Sequence, residues 1–387
     1  MRKTLAGFFF LSTVVLPAAE AQHKLKARFG KGITVVSGDS SFKLKFGARV
    51  QTLYQGDLGL ETNEYTDNLN IRRARFKFDG HVFSPALEYK FELGVSNADR
   101  NNGVARQPGD LPTFILDAYL KWNFADRWSL LAGQAKLPGN RERIISSQAL
   151  QFVDRSALNA QFNLDRDLGV QVHYRGKYYN FIGSVSKGEG RNLTSRNHGG
   201  YNYTMRAEYL PFGAFTSKGD YFGSDLVREQ TPKLSIGVSY DYNDGATRER
   251  GQLGDFLYVE RDLKTWFADA HFKYRGFSSL FEYAYRLSHD GPAIHDESGK
   301  FVDAFFTGRG VSLQAGYLFK SDFEIAGRIT DVLPQTETQR DRNTQFTLCL
   351  SHYLSGHNLK IQSDVTLIQV DYKSESLMYR LQLDVSF

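Results

Sequence analysis

The last eleven residues alternate strictly between apolar and mostly polar side chains, and this pattern constrains the fold more than any other feature. A period of two places the apolar side chains on one face of a β-strand and the polar ones on the other. A strand this apolar would invite aggregation if its edge stayed unpaired, so it needs a neighbouring strand. A closed barrel supplies that neighbour. The apolar positions are Leu377, Tyr379, Leu381, Leu383, Val385 and Phe387.

The first residues have the pattern of an export signal. Residues 1–3 carry two positive charges, residues 4–16 are apolar, and Ala19-Glu20-Ala21 matches an A-x-A cleavage site. The apolar stretch is shorter than the roughly 20 residues that a membrane-spanning helix needs. We therefore expect residues 1–21 to be a cleaved signal peptide and the mature chain to begin at Gln22.

The composition excludes several classes of protein. No long uncharged apolar run follows the export signal, so a membrane location would require strands. A net charge of +5 is too small to predict nucleic-acid binding. The 30 Phe and 21 Tyr suit the aromatic girdles of a membrane barrel. Cys349 is the single cysteine, which excludes an internal disulfide, and the histidine spacing predicts neither a metal site nor a cofactor.

Sixteen segments are predicted as strands, and the connections between them alternate between short and long. Short periplasmic turns and long outer loops are typical of transmembrane barrels. We predict an all-β, antiparallel transmembrane β-barrel over residues 41–387, with residues 22–40 as a periplasmic extension. The long periplasmic link 211–231 departs from the rule. The predicted strands are 42–54, 69–83, 87–96, 113–124, 128–137, 166–174, 178–186, 201–210, 232–242, 264–274, 277–286, 309–319, 322–331, 343–353, 358–368 and 376–387.

Residue parity within the strands predicts which side chains face the lumen. A charge at the bilayer midplane costs about 2–4 kcal/mol on the outer face of a barrel, so the cationic face of each strand should line water. In the first five strands this face carries nine cations, and parity opposes them with four acids, Asp79, Glu88, Glu92 and Asp117. One wall of the lumen is therefore predicted to be positive. The nine cations are Lys43, Lys45, Arg49, Arg73, Arg75, Lys77, Lys90, Lys121 and Lys136.

The register of the first strands predicts how these charges pair. Counting from the first outer loop places Arg49 opposite Arg75, Lys45 near Asp79, and Asp79 near Lys90. The lower wall is then self-neutralised, whereas the two arginines of the upper wall have no partner. Unpaired arginines in a polar channel favour anions, because guanidinium groups bind phosphate oxygens in a bidentate manner. The alternative is that water and loop acids screen these arginines.

Nine short motifs follow one another along the chain: Phe46–Gln51, Ile71–Phe76, Asp117–Tyr119, Gly133–Gly139, Phe152–Ser156, Arg166–Val170, Gly188–Asn192, Tyr209–Gly213 and Tyr353–Lys360. Their order resembles the phosphate-selective porin O and P family over nearly the whole mature chain, and the C-terminal Phe387 resembles the end of bacterial outer-membrane proteins. The resemblance implies a sixteen-stranded outer-membrane barrel, commonly a homotrimer. It also implies a third loop folded into the pore and arginines that guide anions to a constriction. Arg72 and Arg73 fall at a motif position.

The third long loop, 138–165, is the longest and is predicted to form the constriction. Its three arginines balance Glu142, Asp154 and Asp165, so selectivity is expected to come mainly from the facing wall. Its hydrophobic residues Ile144, Ile145, Leu150, Phe152 and Val153 are predicted to pack against the barrel interior. The residues expected to line the pore or bind anions are Arg49, Arg73, Arg75, Lys77, Lys90, Lys136, Arg141, Arg143 and Arg155.

The sequence thus predicts a passive outer-membrane channel for small anions, with phosphate favoured and no enzymatic activity. The expected partners are outer-membrane lipid, two further copies in a trimer, and the barrel-assembly machinery, which would recognise the strand ending at Phe387. A weakly selective general porin, an outer-membrane hydrolase and a loop-based adhesin or receptor are the alternatives. For a hydrolase, His352 and Ser363 are poor candidates, because turn counting pairs His352 with Leu359 and Ser363 with Leu348. Asp241, Asp244, His289 and Asp290 are a weaker carboxylate and histidine set.

Overall fold

A computed structural model describes residues 24–96, 99, 114–192 and 200–387. The predicted signal peptide lies outside the described residues. Sixteen strands form a closed antiparallel barrel: β3 (Lys43–Gly59), β4 (Tyr65–His81), β5 (Leu87–Gly94), β6 (Ile115–Ala125), β7 (Trp128–Lys136), β8 (Arg166–Arg175), β9 (Tyr179–Ser186), β10 (Asn202–Tyr209), β11 (Lys233–Arg248), β12 (Phe256–Tyr274), β13 (Phe277–Ser288), β16 (Gly308–Leu318), β17 (Phe323–Pro334), β18 (Asn343–His357), β19 (Leu359–Val370) and β20 (Lys373–Ser386). The remaining strands form two hairpins, β1 (Lys24–Arg28) with β2 (Gly32–Val36), and β14 (Ala293–His295) with β15 (Phe301–Ala304).

The barrel closes where the last strand pairs with the first. β20 lies antiparallel to β3, with Ser386 opposite Arg49. The backbone N–H of Ala48 donates to the carbonyl of Phe387 at 2.8 Å, and the N–H of Phe387 donates to the carbonyl of Ala48 at 2.9 Å. The C-terminal strand therefore has no free edge, and the predicted all-β barrel is confirmed.

The N-terminal hairpin completes this seam on the periplasmic side. β3 begins at Lys43, but β20 pairs with it no lower than Arg49. The hairpin strand β2 takes over below that point, with Ile33 opposite Phe46 and Val36 opposite Lys43. Because an unpaired strand edge invites intermolecular pairing, the hairpin protects the lower end of β3.

Each of the sixteen predicted strands overlaps a barrel strand, and the main differences lie at the outer ends. The hairpin of β3 and β4 continues to Gly59 and Tyr65, and that of β11 and β12 continues to Arg248 and Phe256. Apolar and polar residues do not alternate regularly at these ends: β12, for example, begins with four consecutive apolar or aromatic residues, 256–259. The alternation that marks a strand in sequence is lost there, although the backbone pairing continues.

The strand faces follow the predicted parity. In β20, Leu381 and Leu383 are exposed on the outer surface, whereas Arg380 and Asp384 are buried in the interior. Arg73 is likewise buried, so the cationic face of β4 points inward. Among the described residues, no helix has both the length and the apolar composition to cross a bilayer.

Candidate functional site

A long outer loop folds into the lumen. This inner loop, residues 138–165, contains two short helices, Arg141–Ile144 and Ala157–Phe162, and a 3₁₀ turn at Ser147–Ala149. Its apolar side chains form clusters with the inner faces of β12, β13, β17 and β18. Burying a side chain of this size contributes about 1.5–3 kcal/mol, so these clusters fix the loop. The buried hydrophobic residues of the loop are Ile145, Ala149, Leu150, Phe152, Val153, Leu158, Phe162 and Leu164.

The packing predicted for the hydrophobic residues of the inner loop is confirmed for four of the five. Ile145, Leu150, Phe152 and Val153 are each at most 4% exposed. Ile144 is half-buried instead and lines a cavity on the periplasmic side of the loop. Most of the hydrophobic side chains of the loop therefore pack against the barrel wall, and Ile144 is partly exposed to the lumen.

Arg141 holds the inner loop against the barrel wall through ion pairs and a hydrogen bond. Its Nη2 lies 2.8 Å from Glu208 Oε1 on β10, and its Nε donates to Asp269 Oδ1 on β12 at 3.1 Å. A further bond of 2.7 Å reaches Ser235 Oγ on β11. The Arg141 side chain has no exposed surface, so its guanidinium holds the loop in place and is not accessible to a solute.

Lys136 and Arg155 hold the backbone of the inner loop. Lys136 Nζ donates to the carbonyls of Arg143, Ile144 and Ile145 at 2.9–3.3 Å. Arg155 donates to the carbonyls of Glu142 at 3.0 Å and Ile145 at 2.8 Å. Burial is the main reason that the pKa of Arg155 falls to about 10. Both cations thus have backbone carbonyl oxygens of the inner loop as their partners.

Two arginines, Arg49 on β3 and Arg75 on β4, lie beside the inner loop. Arg49 lies opposite Arg75, as the register predicted. Arg49 Nε donates to Asp384 Oδ1 at 2.8 Å, and its Nη1 donates to Ser147 Oγ of the loop at 2.7 Å. Arg75 donates to Asp99 at 3.0 Å and to Glu92 at 3.2 Å.

The prediction that the upper arginines have no partner is therefore wrong. Asp384 comes from β20, across the seam of the barrel, and Asp99 comes from the connection after β5. Both partners are distant in sequence or lie outside the strands, so counting residues along neighbouring strands could not reveal them. The register of the lower wall follows the prediction, with Lys45 opposite Asp79 and Asp79 opposite Lys90. The ion pairs differ from it, because Asp79 pairs with Lys77 and Lys90 pairs with Glu92.

A β-bulge brings two consecutive arginines to one carboxylate. Gln51 pairs with Arg73 and Thr52 pairs with Ile71, so Arg72 is an extra residue in β4. A bulge changes the direction of nearby side chains, and here Arg72 and Arg73 both reach Asp154 of the inner loop. Arg72 Nε lies 3.0 Å from Asp154 Oδ2, and Arg73 Nη2 lies 3.0 Å from Asp154 Oδ1. Strict parity would have placed one of the two arginines outside, and it assigned only Arg73 to the lumen.

A cavity of about 770 Å³ lies between β3–β5 and the periplasmic side of the inner loop. Its lining includes eight basic residues and two acidic ones. Lys77 pairs with Asp79 at 3.1 Å and Lys90 pairs with Glu92 at 2.9 Å, while Arg49 and Arg75 pair with carboxylates outside the lining. The excess of positive charge therefore comes from the other four basic residues, which are all lysines. The basic residues are Lys31, Lys45, Arg49, Arg75, Lys77, Lys90, Lys218 and Lys273, and the acidic ones are Asp79 and Glu92.

The long periplasmic link also folds into the barrel. This inner link, residues 211–231, approaches the inner loop from below, and the N–H of Gly223 donates to the carbonyl of Ala149 at 2.7 Å. Lys273 on β12 holds it by donating to the carbonyls of Gly219 at 2.8 Å and Ser224 at 2.7 Å. The sequence signalled this segment by its unusual length, but nothing in its residues indicated an inward path.

Sequence reasoning missed several charged residues beside the inner loop. Arg166, at the start of β8, is buried and donates to Asp117 at 2.6 Å. Arg143, which the sequence did predict, pairs with Asp165 in the loop. Lys31 and Lys218 line the cavity from outside the barrel strands. Parity assigns side chains to a face only within strands. It could therefore not predict the positions of residues at strand starts, in turns or in links.

The candidate hydrolytic residues do not assemble. Ser363 lies opposite Leu350 and His352 lies opposite Ile361, which shifts the predicted register by two residues because β18 continues to His357. His352 stacks on Phe323, with ring centroids 4.0 Å apart. Asp241, of the weaker set, is buried inside the barrel and accepts from Thr204 at 2.7 Å. Over the described ranges, no group of three or more potential ligands is placed to hold a metal ion.

The sequence matches a known family whose name agrees with these structural features. The model of the phosphate-selective porin O and P family matches residues 44–377. The chain belongs to this family. A protein of Aquifex aeolicus (strain VF5) is 22% identical over 372 residues, which cover 86% of this chain and 84% of the relative.

Solved porins share the fold. An anion-selective porin from Comamonas acidovorans superposes with a TM-score of 0.56 at 10% identity, over 89% of this chain and 99% of that one. OmpT of Vibrio cholerae, folded in vitro and in its trimer form, gives a TM-score of 0.55 at 8% identity, over 89% and 99%. This member of the porin O and P family is thus a multi-pass β-barrel of the outer membrane. Its family and fold indicate a channel rather than an enzyme.

Proposed function

We propose that this porin passes small anions by passive diffusion, with phosphate the favoured solute. The observation that carries the proposal is the cavity of about 770 Å³ whose lining includes eight cations and two acids. A pore lined by charges of one sign favours counter-ions of the other sign at its narrow part. No energy source is needed, because the solute follows its own gradient.

The distribution of ion pairs also supports a preference for anions. Arg141, which does not line the cavity, is neutralised by Glu208 and Asp269 in a fully buried network. Around the cavity, by contrast, the described residues provide no carboxylate partner for Lys31, Lys45 or Lys218. These ammonium groups would draw anions to the periplasmic end of the path.

The residues that we propose to meet the solute follow the wall upward from the cavity. Lys77, Lys90, Arg49 and Arg75 line the cavity or its upper rim, and Arg73 lies above them beside the inner loop. Lys136, Arg143 and Arg155 belong to the proposed set through their positions in and beside the loop. Phosphate suits this set better than chloride, since its several oxygens accept the paired donors of guanidinium groups.

We also propose the cellular setting from the sequence and the relatives. Residues 1–21 would direct export, and the strand that ends at Phe387 would be recognised by the barrel-assembly machinery before insertion into lipid. A homotrimer is proposed because OmpT has a trimer form on the same fold.

Reversal potentials in a potassium chloride gradient test the proposal. The wild-type channel is expected to prefer chloride, and Lys45→Glu combined with Lys218→Glu should lower the chloride-to-potassium permeability ratio by at least about twofold through the local potential. The effect should shrink at 1 M salt, where the Debye length is about 3 Å.

The matched control is Lys177→Glu combined with Lys320→Glu, which changes the net charge equally at exposed positions outside the cavity lining. It should leave the ratio unchanged. Cation preference in the wild type would reject the anion channel, and a ratio near one would support the weakly selective general porin. Hydrolysis of ester substrates by the detergent-purified protein would instead point to the enzyme alternative.

A further inference from the structure

The carboxylate of Asp154 occupies the position that an anion would take between two arginines. Its Oδ2 accepts from Arg72 Nε at 3.0 Å and its Oδ1 accepts from Arg73 Nη2 at 3.0 Å. Arg73 is held in this orientation by a second bond, from Nη1 to Gln51 Oε1 at 2.7 Å. Bidentate donation of this kind is also the way guanidinium groups bind phosphate.

The backbone that carries Asp154 is fixed, but its side chain is accessible. Arg328 Nη1 donates to the Asp154 carbonyl at 3.0 Å, and the N–H of Val153 donates to Asp364 at 3.3 Å. The Asp154 side chain is 18% exposed and that of Arg72 is 32% exposed, whereas Asp384, the partner of Arg49, is fully covered. The Asp154 carboxylate is therefore partly open to the lumen while the backbone that carries it is held by the barrel wall.

We propose that Asp154 is a built-in competitor for the anion site of Arg72 and Arg73, and that a solute binds there by displacing it. The inference rests on the proposed anion channel and assigns a determinant of its selectivity. A tethered carboxylate has a high effective concentration at the site. A phosphate ion carries more negative charge and more acceptor oxygens than the carboxylate, whereas chloride offers one charge and no oxygens. Displacement is thus favourable for phosphate and unfavourable for chloride, so Asp154 sharpens discrimination between them.

The experiment uses the purified mature protein in planar bilayers. Chloride conductance is titrated with inorganic phosphate, and the concentration that halves the conductance is measured. In Asp154→Asn the amide has no negative charge, so the arginine pair is left open. The half-inhibiting phosphate concentration should fall about tenfold, which corresponds to about 1.4 kcal/mol. An unchanged or higher value would overturn the proposal.

The control is Asp331→Asn, which removes the same charge from a carboxylate that pairs with Arg342 at 2.7 Å. Its half-inhibiting concentration should equal that of the wild type. A fall as large as that of Asp154→Asn would mean that net charge alone is responsible and would overturn the proposal.

A second variant changes the arginines of the site instead of the carboxylate. Arg72→Gln removes one of the two donors and should raise the half-inhibiting phosphate concentration several-fold, even if Asp154→Asn fails to insert. No change in Arg72→Gln would also overturn the proposal. Cation preference in the wild type would reject the anion channel itself, whereas wild-type anion preference with an unaltered Asp154→Asn response would reject the competitor alone.

Discussion

At the scale of single residues, the lumen contains cations with two different tasks. Arg141 has no exposed surface and is surrounded by Glu208, Asp269 and Ser235. Lys218 lines the cavity on the periplasmic side of the inner loop. Charge sign does not separate these tasks, but accessibility does, because a solute cannot reach a guanidinium that is fully buried.

Replacing Arg141 should destabilise the barrel. Arg141→Ala removes one of the two cations of a buried network and leaves Glu208 and Asp269 with Arg206 alone. Loss of one member of a buried ion pair costs about 3–5 kcal/mol. The expected result is a lower free energy of unfolding in urea titrations followed by tryptophan fluorescence in detergent. Arg342→Ala is the control, since its pair with Asp331 is partly exposed and such pairs contribute about 0–1 kcal/mol. Equal losses in the two variants would contradict a structural role for Arg141.

At the scale of elements, two segments enter the lumen from opposite ends and meet. The inner loop enters from the outer side and the inner link enters from the periplasmic side. They touch at Gly223, where a Cβ atom would lie 2.6 Å from the backbone nitrogen of Gln151. Glycine is therefore required at this contact, and each segment supports the other.

Shortening the inner link should enlarge the periplasmic part of the path. Residues 216–219 and the rings of Tyr221 and Phe222 line the cavity, so replacing 214–229 by a short turn removes material from the lumen. Single-channel conductance is expected to rise. Replacing the exposed turn Asp296–Lys300 by Asn-Gly is the control, because that turn does not line the cavity. Conductance that stays the same after the link is shortened would show that the link does not limit the flow of ions.

Particular residues show what the sequence could and could not predict about these elements. The alternation of Leu381, Gln382 and Leu383 and the facing of Arg49 and Arg75 were predictable, because both follow from the period of a strand and from counting across a turn. The contacts of Asp154 and Asp384 were not, because they join segments that are far apart in the chain. The bulge at Arg72 could not be predicted for a further reason. One inserted residue reverses the alternation of faces on which the prediction depends.

At the scale of the whole molecule, the seam between β20 and β3 determines whether the sheet is closed. Phe387 and Ala48 exchange two backbone hydrogen bonds, and β2 continues the pairing below them. The N-terminal hairpin is thus part of the barrel's closure.

Removing the hairpin should weaken the folded barrel. Deletion of residues 24–36, with residues 1–23 retained, exposes the lower edge of β3 and removes the pairing of Ile33 and Val36. The temperature at which the folded band disappears in heat-modifiability gels should fall, and the protein should aggregate more readily. Deleting Lys24–Arg28 alone keeps β2 in place and should have a smaller effect. Deletions that behave alike would mean that β2 adds nothing to the seam.

The separation between the apolar contacts of the inner loop and the cavity also has an evolutionary consequence. The apolar clusters and the Arg141 network that stabilise the loop lie on β10–β13, β17 and β18, while the cavity borders β3–β5. If the proposed anion channel is correct, substitutions of cavity lysines on these strands, such as Lys45, would change the preferred solute while the apolar clusters and the Arg141 network stay intact. Solute preference could then diverge between descendants of such a porin without mutations that compensate for lost stability.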